Sequence, residues 1–199
     1  LLDTAATAVA DVSCFGESDG SITAQAQGGT PPYNYNWPGL GTTGANVNGL
    51  DAGTYFVEIT DVNGCQTTAG IQITEPQPLT LTLDTLNTSN ETCAGDMDGM
   101  IAVIPEGGNL SQGPPSYTWS GNVAVSDKAT GLGVGTYTVT VTDVQGCTAT
   151  LQHTITAPPP IIAEFQDTLP MSRCFGEAVT INIDTIFGGG FPACETTVN

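Results

Sequence analysis

The stretch AGTYFVEITDVNGC, residues 52–65, and its second copy GVGTYTVTVTDVQGC, residues 133–147, decide the fold. Apolar and polar residues alternate in both, and a period of two is typical of a strand that lies half in a core and half in water. Each stretch then continues through Asp-x-x-Gly to a cysteine. The pattern predicts a strand and a tight hairpin turn in each half of the chain.

The two stretches belong to a longer internal repeat. Three segments open with a cysteine and recur about 80 residues apart: CFGESDGSI at Cys14, CAGDMDGMI at Cys93 and CFGEAVTIN at Cys174. Other matching pairs are PPYNYNW with PPSYTW and ITEPQPL with ITAPPPI. A self-similar unit of this length, with strands of its own, predicts a string of small domains.

Short proline-bearing segments, EPQPL and APPPI, separate the copies. Proline fixes φ and favours extended backbone, so these segments predict semi-rigid linkers and a rod-like array. The predicted domains are residues 1–77, residues 78–158 and residues 159–199, the last being a truncated or divergent third repeat. Both chain ends are expected to be cuts through a longer array.

Each copy contains six or seven short alternating segments, which are separated by Gly, Pro, Asn and Asp. This spacing predicts an all-β fold with an immunoglobulin-like β-sandwich in each repeat. Trp37 and Trp119 are the expected core anchors, and Tyr33 and Tyr35 alternate in step with Trp37. We therefore expect these rings to point into the core rather than to form a sugar-stacking surface.

The pentapeptide GESDG, residues 16–20, has the G-x-S-x-G form of a serine-hydrolase nucleophile elbow. The position of Ser18 is occupied by Met97 in the second copy, and the single histidine lies in that copy. An alternating strand follows the motif where a hydrolase has a helix. We therefore predict no enzyme, and a tight turn whose glycines, Gly20 and Gly99, adopt positive φ.

The charge of the chain excludes two classes of partner. It has 20 acidic residues and only two basic ones, Lys128 and Arg173, so its formal net charge is −18. Nucleic acid and anionic lipid both need basic side chains to meet phosphate. Membrane insertion is not expected, because no apolar run approaches the roughly 20 residues that a spanning helix needs.

The segments CFGESDGSI, GGTPPYNYNW, LDAGTYFVEITDVNGC and ITEP, in this order, resemble the SprB repeat of very large surface adhesins from gliding Bacteroidota. The resemblance covers nearly all of the first two copies and the start of the third. The second copy departs from it by the insertion NLSQG, residues 109–113, and the third copy lacks the Asp-Gly turn. The resemblance implies export to the cell surface, by the type IX route, and a role in adhesion or filament formation.

The favoured interpretation is a structural or adhesive module of a long extracellular fibre. Its expected partners are the neighbouring repeats of the same chain, and then other fibre chains or surface glycans. The alternative is a carbohydrate-binding module appended to an exported enzyme. The inward-pointing aromatic pattern favours the first interpretation.

Calcium is the one cofactor that the sequence suggests. Asp19, Asp61, Asp98 and Asp143 recur at equivalent places, and hard oxygen ligands on loops are what calcium needs. Aspartate before or near glycine is also a common turn former, and no segment has a dense run of ligands. These four residues are therefore weak calcium candidates.

The family resemblance also implies O-glycosylation at Asp-Thr followed by an apolar residue. The chain has four such tripeptides, whose threonines are Thr4, Thr85, Thr168 and Thr185. The alternative is that each threonine is an ordinary strand residue beside a turn-forming aspartate.

Each complete repeat has two cysteines in matching places. We predict disulfide bonds between Cys14 and Cys65 and between Cys93 and Cys147, because disulfides persist in exported arrays of small domains. Each bond would close a loop of about 50 residues and stabilise its repeat by roughly 2–4 kcal/mol.

Zinc and free buried thiols are the alternatives to disulfides. Zinc usually takes closely spaced cysteine pairs with a further ligand nearby, whereas every cysteine here is solitary. The single histidine, His153, aligns with Ile71 and is expected on the core face. The pairing of Cys174 and Cys194 stays open: they pair with each other, or Cys174 needs a partner beyond residue 199.

Overall fold

Strands form most of the computed structural model, which describes residues 3–159. The first repeat contains β1 Asp3–Ala10, β2 Gly20–Gln27, β3 Asn34–Trp37, β4 Thr42–Thr43, β5 Asn46–Leu50, β6 Gly53–Thr60 and β7 Gln66–Ile73. The second contains β8 Thr80–Leu83, β9 Gly99–Glu106, β10 Ser116–Trp119, β11 Lys128–Leu132, β12 Gly135–Thr142 and β13 Thr148–Ile155. Two short 3-10 turns, Leu110–Gln112 and Ser120–Asn122, are the helical segments of this part of the chain.

The first repeat folds as two sheets with the strand orders β1-β2-β5 and β4-β3-β6-β7. Each sheet combines strands from both halves of the repeat, and the pairs whose registers are resolved are antiparallel. The chain thus passes from one sheet to the other and back, as it does in immunoglobulin-type sandwiches. The predicted all-β, immunoglobulin-like fold is therefore confirmed for this repeat.

The core of the first repeat lies between its two sheets and follows the predicted alternation. Ile22 and Ala24 on β2 meet Trp37 on β3 and Val57 and Ile59 on β6, all nearly inaccessible to water. The remaining buried members are Val12, Val47, Leu50, Ile71 and Ile73. Because β-branched and aromatic residues alternate with polar residues along each strand, each sheet has one apolar face.

Both tryptophans are buried and hydrogen-bonded, as a buried indole N–H requires. The Nε1 of Trp37 donates to the carbonyl of Gly44 at 2.9 Å, and the Nε1 of Trp119 donates to the carbonyl of Ser126 at 2.8 Å. The predicted role of these two residues as core anchors is confirmed.

The second repeat has the same strand order, apart from the short β4. Its sheets are β11-β9-β8 and β10-β12-β13. The buried face again alternates, with Val139 and Val141 on β12 inaccessible and His153 half-buried on the same face of β13 as Ile155. The expected core-face position of His153 is therefore confirmed.

Gly20 and Gly99 have a different role from the predicted one. Neither adopts positive φ; each instead begins a strand and is buried. A Cβ on Gly20 would lie 2.8 Å from the carbonyl oxygen of Leu50, and one on Gly99 would lie 2.6 Å from that of Leu132. The prediction of a left-handed turn at these positions was wrong, because glycine is needed for close packing rather than for its φ.

The chain groups into two compact units. Of the described residues, the first contains 3–82 together with Ile104–Thr118 and Val139–Leu151; the second contains Leu83–Val103, Trp119–Thr138 and 152–159. The predicted domain boundaries stay predictions. Within residues 3–159 no helix is long and apolar enough to span a bilayer.

We predict that Gly20→Ala and Gly99→Ala each destabilise the protein by about 1–3 kcal/mol, because the added methyl group must displace a backbone carbonyl or an isoleucine. Gly53→Ala is the matched control, since its Cβ would meet only the ring of Tyr55 at an ordinary 3.7 Å. Urea unfolding followed by tryptophan fluorescence measures both. Equal stability of G20A and G53A would contradict the packing argument.

Candidate functional site: the two cysteine loops

Cys14 lies in the loop before β2, residues 11–19, which we call the first loop. Hydrogen bonds to backbone amides fix the conformation of this loop. The amide of Glu17 donates to the carbonyl of Cys14 at 3.1 Å, around Gly16 at φ 77°. A carboxylate oxygen of Asp19 accepts from the amide of Ser13 at 2.9 Å. Glu75 accepts from the amide of Gly16 at 2.8 Å, which ties the loop to the segment after β7.

The second repeat builds the same first loop from residues 90–98. The amide of Asp96 donates to the carbonyl of Cys93 at 3.2 Å, and Asp98 accepts from the amide of Thr92 at 2.9 Å. The carboxylate that binds the Gly95 amide, at 3.1 Å, belongs here to the buried Glu91. The two loops therefore share their geometry although they draw one carboxylate from different positions.

Ser18 and its counterpart Met97 lie on these loops. Both are exposed, and a strand rather than a helix follows each of them. The observed loop is therefore an entry to β2 or β9 and lacks the strand-to-helix turn of a nucleophile elbow.

The second cysteine of each repeat closes a turn organised by one aspartate; we call residues 61–65 and 143–147 the cysteine hairpins. In the first, Asp61 Oδ1 accepts from the amides of Asn63 at 2.9 Å and Cys65 at 2.8 Å. The backbone closes the turn, because the Asp61 amide donates to the carbonyl of Cys65 at 2.9 Å. The other oxygen, Oδ2, accepts from the amide of Thr30 at 2.9 Å, in the loop between β2 and β3.

The second cysteine hairpin repeats this geometry. Asp143 Oδ1 accepts from the amides of Gln145 at 2.9 Å and Cys147 at 3.0 Å. Its Oδ2 accepts from the amide of Asn109 at 2.8 Å and from the Asn109 side chain at 3.2 Å. One buried carboxylate thus satisfies four N–H donors, which fixes both the hairpin and the loop between β9 and β10.

These hydrogen bonds lower the pKa of each aspartate, because they stabilise the charged form. The backbone N–H of Cys65 is the main cause for Asp61, and the contact with Ser13 is the main cause for Asp19. The contact with Thr92 has the same effect on the pKa of Asp98. For Asp143, burial acts in the opposite direction, but the combined bonds from Asn109, Cys147 and Gln145 outweigh it and leave the pKa lowered.

The structure contradicts the predicted cysteine pairing. Cys14 is bonded to Cys147, across 133 residues of sequence and with 5.6 Å between the Cα atoms. Cys65 is free and exposed, so the predicted bonds Cys14–Cys65 and Cys93–Cys147 were wrong. Cys93 is disulfide-bonded as well, and none of Cys14, Cys65 and Cys147 is its partner. Cys174 and Cys194 lie outside the described residues.

Asn109 contacts both loops that the Cys14–Cys147 disulfide joins, and the sequence did not predict this role. Its side chain, which is only 7% exposed, donates to the carbonyl of Ser13 at 2.9 Å as well as to Asp143. It therefore joins the first loop of one repeat to the cysteine hairpin of the next, beside the disulfide. The available signal was the insertion NLSQG, which opens with this asparagine at the position that Thr30 has in the first repeat.

The calcium hypothesis stays a prediction. The structure gives Asp19, Asp61, Asp98 and Asp143 the role of hydrogen-bond acceptors for their own loops. Within the described range, no three acidic, histidine or cysteine side chains lie close enough together to hold an ion.

The glycosylation sites also stay predictions. Thr85 is exposed in the turn after β8, beside Asp84, whose carboxylate accepts from the amide of Leu86. Thr4 lies in β1, and Thr168 and Thr185 fall outside the described residues.

The strand order and the junction together define a class: tandem immunoglobulin-like β-repeats in which a disulfide joins one repeat to the next. The family model for the SprB repeat matches residues 6–42 and 85–124. Two segments of the chain, one in each repeat, are therefore similar to the SprB repeat. No curated protein matches the chain significantly.

A search of solved structures found similarity to the following three at low sequence identity. The three N-terminal domains of the Highly Immunogenic Outer Capsid protein of bacteriophage RB49 are 17% identical over 77% of this chain, with a TM-score of 0.48. A Dscam structure and the complex of an intimin fragment with the translocated intimin receptor are each 15% identical, over 78% and 75% of this chain, with TM-scores of 0.34 and 0.35. The chain spans 60%, 45% and 64% of these proteins respectively.

The cysteine pairing can be tested with trypsin, because the chain contains only Lys128 and Arg173 as cleavage sites. After thiol blocking and non-reducing digestion in urea, fragment 129–173 should remain attached to fragment 1–128. Cys14→Ser should release it, since the fragment holds only Cys147. Cys93→Ser is the matched control and should leave the two fragments linked. Release by C93S and retention by C14S, seen by mass spectrometry, would instead restore the pairing within repeats.

The hairpin aspartates should make stability depend on pH. Their pKa values are lower in the folded than in the unfolded state, so their contribution is complete above the unfolded value of about 3.9 and is lost as the pH falls through the lower folded value. Asp61→Asn and Asp143→Asn should lower Tm at pH 7 and flatten its decrease between about pH 4 and pH 2, because the amide cannot accept all the N–H donors. Asp51→Asn, at an exposed site, is the control. Thermal unfolding followed by circular dichroism measures each variant, and parallel pH curves for D143N and the unchanged chain would contradict this role.

Proposed function

We propose that this chain is a structural and adhesive module of a cell-surface adhesin, and that its repeats form part of a long extracellular fibre of the gliding or attachment type. The observation that carries the proposal is the disulfide from the first loop of one SprB repeat to the cysteine hairpin of the next. Disulfides persist in oxidising compartments outside the cytosol, which supports export of the chain.

The charged residues support a building role rather than catalysis. The aspartates at equivalent positions of the two repeats accept hydrogen bonds from their own loops, at 2.8–3.0 Å for the hairpin pair. A net charge of −18 keeps such an array soluble and hydrated and disfavours contact with anionic lipid or nucleic acid. Neighbouring repeats are the first partners of each module, and other fibre chains or surface glycans are the next.

The tryptophan and tyrosine residues of the first repeat argue against the alternative function as a carbohydrate-binding module, although Phe15 and Phe56 are exposed. Trp37 is buried, and the half-buried Tyr33 and Tyr35 pack against the core. The tyrosine hydroxyls bond within the protein: Tyr33 to the carbonyl of Gly28 at 2.7 Å, and Tyr55 to that of Asp51 at 3.0 Å. These rings therefore pack and bond within the protein, whereas a carbohydrate-binding surface needs exposed rings on which a sugar can stack.

Antibodies against the purified chain test the proposal on intact and permeabilised cells of the source organism. We expect labelling of intact cells, its loss after treatment with an external protease, and weaker attachment of cells to glass when the coding region is deleted. Labelling that requires permeabilisation would overturn the surface location. Unchanged attachment of the deletion strain would overturn the adhesive role. Binding of the chain to one class of glycan on an array would favour the alternative function.

A further inference from the structure

Cys65 has the same local structure as Cys147, although only Cys147 is bonded. Both hairpins place an aspartate Oδ1 within 2.8–3.0 Å of the cysteine amide. Gly64 and Gly146 turn the chain at φ 81° and φ 92° immediately before the cysteine. The hairpin that holds Cys147 in its disulfide is thus already formed around the exposed thiol of Cys65.

The two first loops, which hold Cys14 and Cys93, also resemble each other in local structure. The Cys14 and Cys93 loops share the Asp19 and Asp98 contacts and a glycine in left-handed conformation, Gly16 at φ 77° and Gly95 at φ 94°. Cys14 is bonded to the hairpin cysteine of the following repeat, and Cys93 is bonded too, but to no cysteine of its own repeat or of the preceding one. Neither first-loop cysteine is thus bonded within its own repeat.

We propose that the bonds form a ladder in which the first-loop cysteine of an SprB repeat joins the hairpin cysteine of the complete repeat that follows it, as Cys14 joins Cys147. Cys65 is then the acceptor for the first-loop cysteine of an SprB repeat placed before this one in the chain. The partner is defined by its chemistry: a cysteine followed by glycine two residues later, on a loop closed by aspartate, as in CFG and CAG.

Forming the bond needs an oxidant, which is a second disulfide, such as that of a thiol–disulfide oxidoreductase or oxidised glutathione. The Cys65 thiolate attacks one sulfur of that disulfide, and a mixed disulfide forms as the other sulfur leaves as a thiolate. The thiolate of the incoming first loop then attacks the Cys65 sulfur and displaces the second sulfur of the oxidant. Two protein thiols lose two electrons and two protons, and the oxidant is reduced to two thiols.

An extended chain tests the ladder. A second copy of residues 80–161 is fused before Leu1, which keeps the spacing between ITAPPPI and ITEPQPL and leaves the full chain intact behind it. After oxidative refolding with glutathione, non-reducing tryptic digestion separates the fragment that carries the first-loop cysteine of the added copy. We expect this fragment to stay linked to the next fragment, which holds both Cys65 and the hairpin cysteine of the added copy.

Two matched variants separate the possible partners. Cys65→Ser should release the added first-loop fragment, whereas Cys147→Ser in the added copy alone should leave it linked. The reverse result, or a fragment that is free in the unsubstituted extended chain, would overturn the ladder. Maleimide labelling gives an independent readout: Cys65 should be labelled in the 199-residue chain and protected at least tenfold in the extended one. Undiminished labelling would also overturn the proposal. Neither readout depends on adhesion, so the ladder and the proposed function succeed or fail separately.

Discussion

A carboxylate that accepts several N–H donors at the end of each repeat organises the rest of this structure. Asp61 and Asp143 each use one oxygen for their own hairpin and the other for a loop between two strands. Without this acceptor, several amides at a buried position would have no partner, and such orphaned donors are costly. The same hairpin surrounds the free Cys65 and the bonded Cys147, so its geometry does not depend on the disulfide.

The size of each repeat explains why a covalent junction is useful. A domain of about 80 residues buries a limited core, and small domains commonly rely on cross-links. Here the bond does not close one sandwich but spans two repeats, and Asn109 reinforces it with hydrogen bonds to Ser13 and Asp143. The disulfide and these hydrogen bonds therefore link the first loop of one repeat to the cysteine hairpin of the next.

The sequence was sufficient to predict the strands, their buried faces and the roles of Trp37 and Trp119, because alternation directly reports which side of a strand is apolar. It could not predict the pairing of the cysteines. When two cysteines recur at a constant interval, a bond within a repeat and a bond to the next repeat give the same spacing pattern. The prediction for Gly20 was wrong for a related reason: the sequence does not distinguish a glycine needed for its backbone torsion from one needed because a neighbouring carbonyl leaves no room for a Cβ.

The bond between Cys14 and Cys147 also limits how far the chain can be stretched. A tether pulled from its two ends can lengthen only through residues outside the closed loop, even when both sandwiches have lost their folds. The loop spans 133 residues, so at about 3.4 Å per extended residue it withholds roughly 450 Å of contour length. In a chain whose successive repeats were closed in this way, unfolding under load would not release the residues inside the closed loops. Their contour length would become available only after the disulfides were reduced.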